Sequence, residues 1–201
     1  MQKIRRFGIL CLAVIVVMVS GVRFIQLNQK WAQPQITIVP KGEILKNEGI
    51  QWQIEDSVLG SVRETLQYYG CKNEDVAESD ILDMKDYGWN GYVMAVKWKI
   101  TNNTTESVNL EQVILADAES SQWANTYNFI AVEFYCQNEK NIPAGESREY
   151  IYPYEIYQQH FRNCDWKNIG KRSFYLTREP YYPQKIMFEC TPKFLKSTQQ
   201  E

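Results

Sequence analysis

The chain has 201 residues and a single histidine, His160, which limits the metal and acid–base chemistry open to it. Zinc and copper centres built on two or more histidines are excluded. His160 lies four residues before Cys164, so a Cys–His nucleophilic couple is conceivable. Such couples form between neighbours in space rather than in sequence, and a surface or capping histidine is the favoured interpretation. We therefore predict a protein that is not an enzyme and has no catalytic, cofactor-binding or metal-binding residues.

Four cysteines follow the apolar N-terminal segment: Cys71, Cys136, Cys164 and Cys190. Their number is even, and no two of them have the CxxC spacing of a redox or zinc site. Four cysteines allow three pairings, and sequence cannot choose among them. Location in the expected elements favours Cys136 with Cys190, both on strands, and Cys71 with Cys164, both just beyond helices. The alternative, free thiols that pack as small hydrophobic side chains, stays open.

An acidic run lies between the expected helix and the strand that begins near Met94. Its carboxylates suit a hard cation such as calcium, but their spacing matches no EF-hand loop and lysines interrupt them. A solvated loop is the favoured interpretation. The acidic residues are Glu74, Asp75, Glu78, Asp80, Asp83 and Asp86.

Aromatic residues make up 13% of the chain, and most of them must fill the core. Trp52 and Trp98 fall at inward positions of expected strands and are predicted core residues. A group of tyrosines is harder to bury and is predicted to form a ligand or partner surface, since exposed aromatic patches mark interfaces. These are Tyr150, Tyr152, Tyr154, Tyr157, Tyr181 and Tyr182.

The N-terminal segment places its charges before a long apolar run. Lys3, Arg5 and Arg6 precede residues 7–22, which carry no charged side chain. A membrane span needs about 20 apolar residues and a signal-peptide core about 7–15. We interpret residues 1–27 as a single-pass anchor, with a cleaved signal peptide as the alternative. The positive-inside rule then puts the C-terminal domain outside the cell membrane, or releases it as a secreted protein after cleavage.

The formal net charge of the whole chain is −2. Beyond Arg23 it carries 18 basic and 24 acidic residues. Phosphate binding needs clustered lysine and arginine, so nucleic acid is not an expected partner. The expected partners are the membrane, through the N-terminal helix, and an unknown envelope protein or cell-wall ligand.

Periodicity divides the remainder into a stalk with a short leading strand (residues 28–40), one domain (residues 41–195) and a polar tail (residues 196–201). Alternating apolar residues predict half-buried strands. The strands are expected around 36–39, 50–54, 94–100, 130–136 and 186–190, with weaker candidates at 108–115, 147–152 and 173–177.

Two helices and one turn are also expected. Ser61 and Glu64 have the spacing of a capping box, and Gly70 supplies a left-handed stop, so a helix should lie between them. A short helical piece is expected at 155–161. Asn102 and Asn103 begin two glycosylation sequons, but they are more informative as the turn between two antiparallel strands. The predicted fold class is mainly β: an immunoglobulin-like antiparallel β-sandwich with one or two short helices, preceded by an N-terminal hydrophobic helix.

Two segments carry a resemblance to a known group. The strand that ends in Lys99, Ile100, Thr101, Asn102 and Asn103, followed by Val108 and Leu110, resembles the extracytoplasmic immunoglobulin-like (telokin-like) domains of Gram-positive membrane proteins and lipoproteins. The turn at Ile142, Pro143, Ala144, Gly145, Glu146 and Ser147 is similar to one that recurs in those domains. The resemblance implies a sandwich fold and brings no catalytic residues. We expect a noncatalytic interaction or accessory module of the cell envelope, with a binding domain for cell-wall glycan or peptide as the alternative.

Overall fold

The computed structural model describes residues 2–30, 34–71, 90–113, 116–128, 131–135, 140–178 and 183–195. It divides into two compact units, Met1–Gln35 and Ile36–Glu201. The first unit contains helix α1 (Gln2–Lys30), whose described side chains, residues 13–29, are all exposed. In the portion of the chain that the structure describes, no helix combines the length and the apolar character needed to cross a membrane.

The second unit is mainly β. Its longest strands are β3 (Ile50–Gly60), β4 (Gly91–Asn102) and β9 (Ser147–Tyr157). The shorter strands are β1 (Gln35–Val39), β2 (Ile44–Asn47), β5 (Val108–Asn109), β6 (Ala116–Ser120), β7 (Trp123–Thr126), β8 (Asn141–Ile142), β10 (Phe174–Arg178), β11 (Gln184–Cys190) and β12 (Lys193–Phe194). Helical segments are α2 (Val62–Tyr68), α3 (Leu110–Val113), α4 (Val132–Tyr135), α5 (Asn163–Lys167) and the 3₁₀ turns Gln158–His160 and Ile169–Lys171.

The strands form two main sheets. The first sheet has the order β1-β11-β10-β6-β7, and the second has the order β12-β3-β4-β9, with β2 also paired to β3. The described pairings are antiparallel except for β12 with β3, which is parallel. One core contains side chains of both sheets, so the second unit is a β-sandwich. The prediction of a mainly β sandwich with short helices is confirmed, while the immunoglobulin-like topology stays a prediction.

The core follows from the alternation of the long strands. Even-numbered residues of β4, from Met94 to Ile100, enter the main core, while Val93 and Ala95 face the other way. In β3 the register with β4 shifts between Ile54 and Asp56, which changes the parity of the inward residues. Trp52 and Trp98 are 2% and 1% exposed, as predicted for core anchors.

A smaller core covers the opposite face of the second sheet. Val62 and Leu66 of α2 pack there with Val93, Ala95 and Tyr135. The predicted capping box of α2 is confirmed. Glu64 N–H donates to the Ser61 hydroxyl at 3.3 Å, and Ser61 N–H donates to the Glu64 carboxylate at 2.8 Å. Gly70, at φ +69°, provides the left-handed residue beyond the helix end.

The predicted turn after β4 is confirmed and centres on Asn102, which is fully buried. Its amide nitrogen donates to the carbonyls of Glu106 at 2.8 Å and Ile142 at 2.9 Å. Its amide oxygen accepts from the backbone N–H of Thr104 at 2.9 Å and from that residue's hydroxyl at 2.6 Å. One side chain therefore replaces the backbone ladder where β4 ends.

Three predictions of secondary structure are wrong in part. The strand expected at 130–136 is helical at Val132–Tyr135, and its ends, Ile130 and Cys136, lie outside the described residues. The strand expected at 108–115 is confined to β5 and is followed by α3. The helix expected at 155–161 begins as the end of β9 and becomes a 3₁₀ turn only at Gln158. Short apolar runs suit a helix or a strand equally, so tertiary packing decides.

Candidate functional site

The predicted tyrosine surface is wrong for the four tyrosines of β9. Tyr150, Tyr152, Tyr154 and Tyr157 are 1%, 3%, 0% and 4% exposed. The first three are two residues apart, so all of them point from the same face of the strand into the main core. Tyr157 lies on the other face, in the smaller core. These side chains are buried packing residues; Tyr181 and Tyr182 lie outside the described residues.

The phenol groups of Tyr154 and Tyr157 are satisfied internally. Tyr154 donates to the carbonyl of Ala116 at 3.2 Å, and Tyr157 donates to the Glu155 carboxylate at 2.6 Å. Burial raises the pKa of Tyr154 well above its ordinary value. A neutral, enclosed phenol can neither stack on a sugar from solvent nor transfer a proton to one.

The predicted pairing of Cys71 with Cys164 is also wrong. Both are free cysteines, as is Cys190. Cys71 packs with the smaller core, on the outer face of the second sheet, whereas Cys164 is exposed on α5. Cys190 is fully buried in the main core, where burial raises the pKa of its thiol to about 11. Its predicted partner, Cys136, lies outside the described residues.

The closest approach to a catalytic arrangement is the polar group around Glu155, at the end of β9. The Glu155 carboxylate accepts hydrogen bonds from Tyr157 and from the amide of Asn128, one on each oxygen. Its carbonyl accepts from the amide of Asn125 at 3.1 Å. His160 lies edge-on to the Tyr157 ring, with the ring centroids 5.7 Å apart. Because both carboxylate oxygens are engaged, the group ties Asn125 and Asn128 to β9 rather than presenting a free acid or base.

A second buried polar group joins α2 to α4. The hydroxyls of Thr65 and Tyr135 lie 2.6 Å apart, and Tyr69 donates to the carbonyl of Ala95 at 3.3 Å. Burial raises the pKa of both tyrosines above their ordinary value. These phenols therefore stay protonated in neutral water and hold the two helices against the second sheet.

The acidic residues between Glu74 and Asp86 lie outside the described residues. Within the described ranges, no three or more histidine, cysteine, aspartate or glutamate side chains are grouped closely enough to hold a metal ion. The solvated loop therefore stays a prediction.

Exposed apolar side chains instead occur at the edge of the sandwich. Ile36 and Ile38 of β1 are 60% and 53% exposed, and Ile44 of β2 is 50% exposed. In the described residues, β1 is the outermost strand of the first sheet, with β11 on its one paired side. The apolar pattern predicts this strand at 36–39 but does not reveal that it lies at an edge, because neighbours in a sheet are set by long-range pairing. We refer to the strand Gln35–Val39 as the β1 edge.

Comparison with known proteins gives no family assignment. No protein family model matches the chain, and no curated protein sequence matches it. Solved structures that match the chain include three bacterial proteins. An uncharacterised β-sandwich protein from Clostridium difficile 630 is 11% identical, with 78% of this chain and 95% of that chain covered and a TM-score of 0.49.

The other two are similar at comparable identity. A protein of unknown function from Listeria monocytogenes EGD-e is 10% identical, with 76% of this chain and 82% of that chain covered and a TM-score of 0.46. A candidate lipoprotein from Bacillus subtilis is 11% identical, with 75% of this chain and 38% of that chain covered and a TM-score of 0.42.

Proposed function

We propose that the chain is a noncatalytic interaction module of the cell envelope, held at the outer face of the membrane by its N-terminal helix. The observation that carries the proposal is the β1 edge, an uncharged strand that presents two isoleucines to solvent. Exposed strand edges with apolar side chains recruit further strands unless they are blocked. A module that binds by strand addition needs no nucleophile, base or metal.

The proposed membrane attachment is supported by the side chains of α1. Ten apolar residues of this helix are each at least half exposed, among them Val17 at 70% and Phe24 at 66%. A helix that exposes apolar side chains over this length is poorly suited to water and well suited to lipid. The basic residues before the apolar run favour a cytoplasmic N-terminus and an exported sandwich.

The noncatalytic part of the proposal is supported by how the polar side chains of the described residues are used. Glu155 is held by Tyr157 and Asn128, and the Tyr135 hydroxyl is held by Thr65. These groups resemble candidate acids and bases, yet each joins two elements of the fold. Structural hydrogen bonds of this kind account for buried polar groups without an active site.

Cysteine labelling in intact bacterial cells tests the orientation. Cys164 is exposed, whereas Cys190 is buried, so a membrane-impermeant maleimide should label the full chain at Cys164. The Cys164→Ser chain is the matched control and should lose most of the label. Labelling of Cys164 only after cell lysis would place the sandwich in the cytoplasm and overturn the proposal.

Flotation with lipid vesicles tests the attachment separately. The full chain should float with vesicles, and the double substitution Val16→Lys and Val17→Lys should release it, since each charge near a bilayer centre costs about 2.5–3.5 kcal/mol on insertion scales. Ile44→Lys adds a charge to the sandwich instead and should leave flotation unchanged. Equal flotation of the double variant and the unsubstituted chain would contradict a spanning helix.

A further inference from the structure

Within the part of the sandwich that the structure describes, the β1 edge differs from the other edges because no contact of its open side is seen. The edge strand β9 contains Pro153, which cannot donate to a further strand, and Asn128 N–H already donates to the Pro153 carbonyl at 2.9 Å. Asn125 caps the Glu155 carbonyl of the same strand. Among the described residues, the other edges are short strands, β2 and β7 with four residues each and β12 with two. Blocked or short edges are how β proteins avoid unwanted pairing. β1 is one residue longer than β2 and β7, and its prolines, Pro34 and Pro40, lie outside its five residues.

The sequence of the β1 edge is symmetric about Thr37. The order Pro34, Gln35, Ile36, Thr37, Ile38, Val39, Pro40 has the same residue on both sides at the first and third positions from the centre. An antiparallel pair of two such strands centred on Thr37 therefore sets isoleucine opposite isoleucine and proline opposite proline. The two prolines cannot donate hydrogen bonds, so they limit the pair to the five residues between them.

The side chains of the strand suit this register. Ile36 and Ile38 point to the exposed face, so each isoleucine of one copy would lie opposite an isoleucine of the other, four in one patch. Thr37 would lie opposite Thr37, and its hydroxyl already accepts a hydrogen bond from the Gln184 amide at 3.0 Å. Val39 is 6% exposed and enters the main core of its own copy, which keeps the strand in place.

The charges near the strand also suit a second copy. Residues 34–40 carry no charge, so the register opposes no like charges. Lys41 donates to the Thr191 carbonyl at 3.0 Å, within its own copy. On the neighbouring strand, Lys185 is paired with Glu119 at 2.6 Å, so that part of the sheet contributes no net charge. A charged peptide would find no complementary charge here. A second neutral strand of the same sequence needs none.

We propose that the β1 edge pairs antiparallel with the β1 edge of a second copy, with Thr37 on the two-fold axis, and joins the first sheets of both copies. A five-residue strand pair is small beside the about 1,200–2,000 Å² of a stable interface. The dimer is therefore weak in dilute solution and forms on the membrane, where attachment raises the effective concentration. In this respect it rests on the proposed function.

Disulfide trapping in lipid vesicles tests the register. All chains are full length and carry Cys164→Ser, which removes the exposed thiol and provides the background. Thr37→Cys should give a disulfide-linked dimer on mild oxidation, because the two residues face each other across the axis. Ile36→Cys and Ile38→Cys chains should cross-link more when mixed than either does alone. A Thr37→Cys yield no higher than the background overturns the proposal.

Charge insertion tests the surface without a trapped bond. Chains labelled at Cys164 with donor or acceptor dyes should show energy transfer in vesicles. Ile36→Lys with Ile38→Lys should lower the dimer fraction at a fixed lipid ratio about tenfold, because like charges then oppose each other. Ile44→Lys, on an equally exposed isoleucine of the other sheet, should leave it unchanged. Unfolding curves of each variant identify any loss of folding, and transfer insensitive to the two lysines overturns the proposal.

Flotation of the same vesicles separates the two proposals. Floating chains without a Thr37 dimer overturn the strand pairing and leave the membrane attachment standing. Chains that do not float overturn the attachment, and Thr37 cross-linking at high protein concentration in solution then decides the pairing by itself. Cross-linking of Thr37→Cys in cells to a different protein would assign the edge to that protein and overturn the pairing of two copies.

Discussion

Asn102 concentrates more polar contacts in one side chain than any other residue described above. Its buried amide group makes four hydrogen bonds: one with Glu106, one with Ile142 of β8 and two with Thr104. Loss of the Asn102 amide would therefore leave all of these groups without this hydrogen-bond partner at once. The two sequons that begin here are therefore of unequal character, since the amide nitrogen of Asn102 is committed inside the fold.

Substitution of Asn102 by alanine should lower the free energy of unfolding by about 2–4 kcal/mol, because buried carbonyl and N–H groups lose their partners. Urea unfolding of the two chains measures the difference. Asn103→Ala, at the adjacent exposed residue, is the control and should change stability by less than about 0.5 kcal/mol. Equal effects of the two substitutions would contradict the role given to the Asn102 amide.

Cys190 should make the sandwich less stable in alkaline solution. Burial raises the pKa of its thiol from 9.0 to about 11, so the unfolded chain releases the proton first. Its contribution is complete below about pH 9 and is lost as the pH rises from there through about 11. Linkage gives a slope of up to about 1.4 kcal/mol per pH unit for one proton.

The measurement is the free energy of unfolding between pH 7 and about pH 9, where the tyrosines of the unfolded chain, whose ordinary pKa is about 10, are still largely protonated. Cys190→Ala should be less stable at every pH, because it leaves a cavity, but should show a flatter decline with pH. Cys164→Ala, at an exposed thiol, should keep the slope of the unsubstituted chain. An unchanged slope in Cys190→Ala would show that other groups cause the alkaline loss.

At the scale of elements, α2 is the clearest case in which local sequence decides structure. Ser61 and Glu64 set its beginning and Gly70 its end, and each acts on the turn of the helix next to it. Ser61→Ala should cost about 1 kcal/mol of unfolding free energy through loss of the cap. Arg63→Ala, at an exposed position of the same helix, should be nearly neutral. Thermal unfolding of both variants measures the difference. If both were neutral, packing of Val62 and Leu66 alone would hold the helix.

The segments around residues 108–136 show why other elements were not predicted from the sequence pattern. Strands β6 and β7 contain small and polar residues, and Ala116, Ala118 and Ser120 are buried without a strong apolar pattern. Val132–Tyr135 alternates as a strand should, yet Asn128 accepts from Ala131 N–H and starts a helical turn. Long-range contacts decide these elements, and no local pattern records them.

The tyrosines of β9 show the same limit for the candidate site. Alternation correctly places Trp52 and Trp98 in the core, and the same rule, applied to Tyr150, Tyr152 and Tyr154, puts them on one face. Which face is buried depends on where the first sheet packs, and alternation along one strand does not reveal that. The β1 edge was hidden for a related reason: its sequence is visible, but its position beside β11 follows only from the assembled sheets.

At the scale of the whole molecule, the C-terminal strand β12 fastens the sandwich. Phe194 packs edge-on to Tyr92, with ring centroids 5.3 Å apart, and the backbone of Gly170 passes directly beneath it. A Cβ added at Gly170 would lie 2.6 Å from Cγ and 2.8 Å from Cβ of Phe194. Only a residue without a side chain fits while β12 stays beside β3.

Gly170→Ala should therefore lower the free energy of unfolding by about 1–3 kcal/mol, the usual range for overpacking. Lys171→Ala, at an exposed neighbour, is the control. A double-mutant cycle with Phe194→Ala should show non-additivity, because the second substitution removes Cγ and Cδ1 of Phe194, two of the three atoms that clash. Additive effects in urea unfolding would mean that the two residues do not oppose each other.

The order of strands has a consequence for the synthesis of the protein. β11 lies beside β1 and β12 beside β3, and bonds such as Gln184 to Thr37 and Lys41 to Thr191 join residues 147 and 150 positions apart. The first sheet therefore cannot be completed before β11 has been synthesised, nor the second before β12 has. A chain that ended before Gln184 would lack both strands and leave both sheets unfinished, open to proteases and chaperones.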